Sequence, residues 1–372
     1  MATLRFQMSA TFSANTLEGI VMLARIVTLS ASALAIIGTA ANPANAQSHA
    51  TPELVLTATN ASPNTLLVYD PSGNLLQSIA THGHGGVSGN AGGIAKHRGQ
   101  VAVVNFGSSD VSVFDLGTDG RRLHLQDLVP AVANPVSVAF GYNHLYILST
   151  TSVESHWVSP AGVDPQPDGT ATLLHADGSA GQVGVVTGQL VITEKSNAIE
   201  SVALTADGAV TGNANLVSDI PANVNTPLGL ATRGNDAYVT IAHANEISLV
   251  RDDAVLTTTP SVTQHAPCWL ALDGPFLFSA NSPSLSVSRY AVYGQHIIQD
   301  AAVAATFEGD PTDIAYGAGR LGVIDSDGTN SHLSIFKVDE DGNLTLGDVV
   351  TFTGVVSTNG VVIITSDEGL AR

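Results

Sequence analysis

Small residues recur in this chain at a period that neither a helical bundle nor a simple sandwich would produce. Ala95, Ala139, Val185, Ala231, Ala271, Ala315 and Val362 each lie in the first of a set of short apolar stretches, at spacings of 44, 46, 46, 40, 44 and 47 residues. The clearest copy runs Gly93-Ile94-Ala95, Val101-Ala102-Val103-Val104-Asn105, Val111-Ser112-Val113-Phe114-Asp115 and Leu123-His124-Leu125. Gly, Asn, Asp and Ser cut the stretches apart every few residues, which reads as antiparallel strands joined by tight turns, with no helical period. A repeat in the forties with four strands per unit is that of a β-propeller blade. Small side chains suit the innermost strand, where blades crowd around the channel.

Six full blades are expected to begin near residues 92, 136, 182, 228, 268 and 312. The remainder is an N-terminal piece with three strands, Leu54 to Thr59, Thr65 to Tyr69 and Leu75 to Ile79, and a C-terminal strand, Gly360 to Thr365. Together they make a seventh blade shared by the two ends of the chain, which closes the ring and leaves no free sheet edge. The expected fold is therefore all-β, a seven-bladed β-propeller of four-stranded antiparallel blades over residues 47–372.

Residues 1–46 read differently. Arg25 precedes an apolar run from Ile26 to Ala40, and Asn42-Pro43-Ala44-Asn45-Ala46 supplies a small-x-small cleavage site. This is the pattern of a signal peptide, with Met22 as an alternative start, and it predicts a secreted or periplasmic protein beginning at Gln47. The run is shorter than the roughly 20 residues that span a bilayer, so no membrane insertion is expected. The single Cys268 cannot form an internal disulfide and reads as a small buried apolar residue. Thirteen basic against 32 acidic side chains give a net charge of -19, which repels a nucleic-acid backbone. The remaining partners are a small-molecule or carbohydrate ligand, met by a monomer with no cofactor.

In a propeller the loops entering each blade and the loops between its second and third strands surround one mouth of the channel, the default ligand site. The first set holds His82, His84, Asn134, His175, Asn225, His265, Glu308 and Asp310; the second holds Asn60, Asn105, Glu154, Glu194, Lys195, His243, Asn245, Asn281 and Asp325. Histidine can act as a general base near neutral pH. Glu194 stands out because it ends a Val-Ile-Thr strand, where alternation does not call for a carboxylate. Lys195 is placed either to pair with it or to face water. Glu194, His175 and His265 are thus the candidate catalytic groups, and His82, His84, Asn105, Lys195, His243 and Asn281 the candidate binding groups.

Three stretches carry a family likeness: Val191-Ile192-Thr193-Glu194-Lys195-Ser196-Asn197-Ala198-Ile199, Ala266-Pro267-Cys268-Trp269-Leu270-Ala271, and Ser279-Ala280-Asn281-Ser282-Pro283-Ser284-Leu285-Ser286-Val287-Ser288-Arg289-Tyr290. They resemble blade motifs of secreted members of the seven-bladed lactonase family, which includes 6-phosphogluconolactonase and carboxymuconate lactonizing enzyme. The resemblance implies a lactonase-type hydrolase and an acid/base or orienting role for Glu194, which matches an acidic residue proposed as catalytic in the lactonizing branch. That branch has an Arg on the first strand of the same blade. Here the stretch is Gly181-Gln182-Val183-Gly184, so a phosphorylated or di-acid lactone, and an isomerase of the lactonizing kind, fit poorly. Two readings stay open: hydrolysis of a neutral or weakly charged lactone, or non-catalytic binding of a glycan, peptide or envelope component.

Other motifs have simpler explanations. Gly317-Ala318-Gly319-Arg320-Leu321-Gly322 joins two strands and opens no helix to hold a pyrophosphate. Asp325-Ser326-Asp327-Gly328-Thr329-Asn330 resembles the start of a calcium loop, yet Phe336 stands at the twelfth position, so a turn and no metal are expected. No G-x-S-x-G, H-E-x-x-H or cysteine cluster occurs, against a serine hydrolase or zinc enzyme built on local motifs.

Overall fold

The structure, a computed structural model, describes residues 53–88, 92–217 and 226–366. The expected signal peptide, its cleavage site and Asn225 lie outside the described residues. Within them the chain forms seven antiparallel sheets arranged as the blades of a propeller. Helical structure among the described residues is limited to three single 3-10 turns.

The first blade joins both ends of the chain in the order Asn359–Thr365, Glu53–Ala58, Thr65–Tyr69 and Leu75–Ala80. Leu56 lies opposite Val362 and Glu53 opposite Thr365. Blades 2 to 7 start on the inner strands Ile94–His97, Pro135–Gly141, Ala180–Val186, Pro227–Arg233, Pro267–Asp273 and Asp310–Gly317. Each recurring small residue falls on one of these strands. Blade 3 departs from the four-strand pattern: its outermost place is shared by two short strands, Gly162–Val163 and Gly169–Thr172, both paired to Ser152–Ser159. In blade 4 that place is held by only Asn215–Leu216 and one Leu204–Val210 bridge.

Alternation along each strand sends side chains to opposite neighbours. Leu54, Leu56 and Ala58 pack with Val101, Val103 and Phe114 of blade 2, whereas Val55 between them packs with Ile324, Leu333 and Ile335 of blade 7. Apolar layers therefore lie between blades, and each blade is stabilised by two neighbours. Inner strands approach closely: a Cβ at Gly229 would collide with the Cys268 carbonyl of the next blade.

The closure is chemically specific. Thr57 Oγ1 donates to Gly360 O at 2.7 Å inside blade 1. Across the junction, the Asp313 carboxyl of blade 7 accepts backbone N–H groups of Gly360 and Val361 as well as Ile314. Burial pushes Asp313 up to about 7, against those three hydrogen bonds, which favour the ionised form. The guanidinium of Arg320 adds an ion pair to Glu53.

Candidate active site

Both predicted loop sets meet at one face, because loops entering blades lean on the hairpin turn of the same or the preceding blade. In blades 2, 5 and 6 the turns are Phe106–Ser108, Ala242–Ala244 and Ser282–Ser284, each ended by a left-handed residue: Ser109, Asn245 and Leu285. His84 N donates to Ser108 Oγ at 2.9 Å, His265 N to Ser284 Oγ at 2.8 Å, and Ala266 N to Asn245 Oδ1 at 2.8 Å. The loop from blade 1 goes further and crosses the mouth. Asn60, itself at φ 52, accepts the N–H groups of Gly86 and Val87 and donates Nδ2 to Val87 O at 2.7 Å. Val87 is thereby buried against Val136 and Ala180 of blades 3 and 4.

Beside this crossing segment the mouth keeps a cavity of ≈ 530 Å³. Leu228, Trp269, Pro311 and Val87 supply its apolar lining, Asp310 its charge, and no Lys or Arg is among the described lining residues. Cys268 also lines it, so this residue is only partly buried. Its thiol donates to Ala266 O at 3.2 Å, and burial raises its pKa, which leaves it a poor nucleophile.

A second cluster lies where the loop after blade 3 enters blade 4, and it contains Glu194. This residue ends the strand Gln189–Glu194 and is 0% exposed. Its Oε2 accepts the Ser179 hydroxyl at 2.9 Å, Ser179 touches Ser196 Oγ at 2.7 Å, and Oε1 has no hydrogen-bond partner. Burial drives the Glu194 pKa up to about 8, and the carboxylates of Glu200 and Asp177 push the same way. Lys195 is adjacent, with its own pKa lowered by burial and raised in part by Glu194. Glu194 therefore carries a proton at neutral pH.

His175 stands in the same cluster but is not hydrogen-bonded to Glu194. Its Nδ1 lies 3.0 Å from Glu200 Oε1, and the fully buried Glu200 carboxylate also accepts the backbone N–H of Leu174 at 2.9 Å and of His175 at 2.8 Å. With two donors already fixed on that carboxylate, the Nδ1–H tautomer is the one that satisfies it, and Nε2 keeps its lone pair. Glu200 was not among the sequence candidates. The signal was there in the strand Ala198–Ala203, where a carboxylate shares the face of Ala198 and Val202.

The other candidates are dispersed. His82, His84, His243 and His265 are exposed around the mouth. His84 Nδ1 is 2.9 Å from Ser62 Oγ and His243 Nδ1 3.1 Å from Thr226 Oγ1. Asn105 and Asn281 are 0% exposed and spent on hydrogen bonds to neighbouring strands and loops. Asn105 donates to Asp110 and Ser112 and accepts from Thr81 and Asn64; Asn281 donates to Ser286 and Ser288 and accepts from Ser279. They lock hairpins and leave no polar atom for a ligand. The calcium-like stretch is a turn, with the Asp327 carboxylate taking the N–H groups of Thr329 and Asn330.

No family model matches the sequence, and no curated protein matches it. Solved structures do resemble the fold. A protein provisionally named a 6-phosphogluconolactonase, from Bacteroides fragilis NCTC 9343, has a TM-score of 0.59 at 14% identity, over 87% of this chain and 100% of that one. A second protein so named, from Bacteroides uniformis ATCC 8492, gives 0.60 at 15% identity over 84% and 99%. A functionally unknown protein from Desulfotomaculum acetoxidans DSM 771 gives 0.62 at 10% over 84% and 99%. At such identities the likeness is one of fold.

Proposed function

We propose that this protein is a lactonase-like hydrolase that opens a neutral lactone. The observation that carries the reading is the gathering of two groups around one carboxylate: His175 hydrogen-bonded to Glu200, with protonated Glu194 beside the same Glu200. Separated acid and base states of this kind are what acyl hydrolysis needs. In the reaction His175 Nε2 takes a proton from water as its oxygen attacks the ring carbonyl. Glu194 donates a hydrogen bond to the oxygen that gains charge and then passes its proton to the departing ring oxygen. The Ser179 and Ser196 hydroxyls cover Glu194 and must part for a substrate to reach it.

The substrate is uncharged on this reading. At the proposed site a phosphate would meet the carboxylates of Glu200 and Asp177, and the charge of Lys195 beside Glu194 is itself disfavoured by burial. The apolar run Ile26 to Ala40 and the small-x-small site after it support a secreted or periplasmic enzyme, away from phosphorylated intracellular sugars. A second reading, a non-catalytic binding propeller, is favoured by one fact: none of Glu194, Glu200 and His175 lines the mouth cavity.

Hydrolysis of an uncharged sugar lactone, followed by pH-stat, separates the two. His175→Gln and Glu194→Gln are each expected to lower kcat about 10²- to 10⁴-fold in a folded protein, the first with the melting temperature nearly kept and the second with it raised at neutral pH, since Gln does not titrate. A folded wild type inert toward neutral, acidic and phosphorylated lactones would remove the hydrolase reading, and saturable binding of such a ligand without turnover would establish the other.

A further inference from the structure

Blade 7 contains two polar side chains with unspent hydrogen-bonding capacity, in a cleft that shares no lining residue with the mouth cavity and lies outside the Glu194 cluster. On the strand Ser331–Val338, alternation sends Leu333 and Ile335 toward blade 1, where they pack with Val55. His332, Ser334 and Phe336 point the other way and line a cleft of ≈ 680 Å³ against the outer strand of blade 6. Serine holds the place of Ser334 in blades 2, 5 and 6 as well, but there Ser112, Ser248 and Ser288 are each hydrogen-bonded to a neighbouring strand or loop.

His332 is 8% exposed and Ser334 5%. His332 Nδ1 is 2.9 Å from Asp325 Oδ1, itself buried, so the Nδ1–H is committed to that carboxylate. The opposite ring nitrogen, Nε2, makes no hydrogen bond among the described residues, and neither does Ser334 Oγ. Neither atom is sealed from the cleft, so each is free to bond a partner that enters it. Phe307 and Phe336, edge-to-face at 5.9 Å, and Leu344 make the apolar wall next to them.

We infer that this cleft between blades 6 and 7 binds a small organic amine with an apolar body. With Nδ1–H on Asp325, the Nε2 lone pair of His332 offers an acceptor to the cleft and Ser334 Oγ a second one; an ammonium group donates to both together. Charge selects the same class. Asp325 and exposed Glu308 are the carboxylates of the lining, and no Lys or Arg lines it among the described residues, in a chain of net charge -19. An anion of the same shape would face only like charge. The volume is within the usual range for sites holding a small molecule, about 300–1,000 Å³.

The test uses the intact propeller and 2-phenylethylamine as probe, with 3-phenylpropionate as its anionic counterpart. Titration is followed by calorimetry and by the imidazole nitrogen resonances of labelled protein. The amine is expected to bind saturably and to shift His332 Nε2, while the carboxylate does neither. Ser334→Ala and His332→Gln should each weaken the amine at least about tenfold. If both variants misfold, the His332 Nε2 shift in the wild type decides alone. No saturable amine binding, binding that leaves His332 Nε2 unmoved, or equal binding by the folded variants would overturn the assignment and leave ordered water as the occupant of the cleft.

Discussion

Glu194→Gln should remove a pH-dependent liability from the fold. The carboxyl has an ordinary value of 4.5 and is pushed up to about 8 by burial and by the neighbouring carboxylates. Between those two values the folded protein holds a proton that the unfolded chain has released, so the unfolded state binds fewer protons and stability falls as pH rises. The loss begins near 4.5 and is complete above about 8. At about 1.4 kcal/mol per pH unit the full effect is at most about 5 kcal/mol, and a few kcal/mol once solvent screening near the Ser179 and Ser196 hydroxyls is allowed for. Gln copies the shape of the protonated acid and does not titrate. Denaturant unfolding at pH 5, 7 and 9 should therefore find the two proteins nearly equally stable at pH 5, and the variant more stable by a few kcal/mol at pH 9. Asp313 and Asp325 are also raised by burial, but they titrate in both proteins and cancel from the difference. Parallel stability curves would show that Glu194 is ionised in the folded protein, and the acid role assigned to it would fall with that result.

Two further outcomes concern the closure and the N-terminus. Asp313→Ala strips three backbone N–H groups of their acceptor at the junction of blades 7 and 1 and should cost about 3 kcal/mol; removing residues from Gly360 onward should abolish the cooperative thermal transition, and a truncated protein that melts like the full chain would refute the closure scheme. Protein recovered from culture fluid or periplasm should begin at Gln47 by N-terminal sequencing, and a chain retaining Ile26 to Ala40 would refute export by cleavage.

The lactonase likeness and the structural neighbours agree on fold and leave the reaction to the residues. The missing Arg at Gly181 to Gly184 is the sequence feature behind the proposal of a substrate without phosphate. The His175–Glu200 pairing also alters the division of labour expected for Glu194. In the proposed reaction a carboxyl held neutral at pH 7 is the donor, and the histidine is the base.

Much of the fold was legible because its constraints are local or periodic. Crowding around the channel demands small side chains on every inner strand, so Ala95, Ala139 and their counterparts mark the blades at a fixed interval. Hairpins place consecutive strands side by side, and the three-strand remainder at the N-terminus then requires the strand at Asn359–Thr365 to complete blade 1. The site was legible only as residue types. Asn105 and Asn281 look like binding groups in a loop, yet tertiary packing buries them and consumes all their polar contacts with neighbouring strands. Glu200 meets His175 across 25 residues of sequence because a loop entering a blade leans on that blade's third strand. Alternation puts His332 and Ser334 on one face of their strand, but only the packing of blade 6 against blade 7 decides that this face borders a cleft. Sequence period determines where strands lie, since backbone geometry repeats. Burial, proton state and free hydrogen-bonding capacity depend on what distant strands bring alongside, and the three-dimensional structure alone decides them.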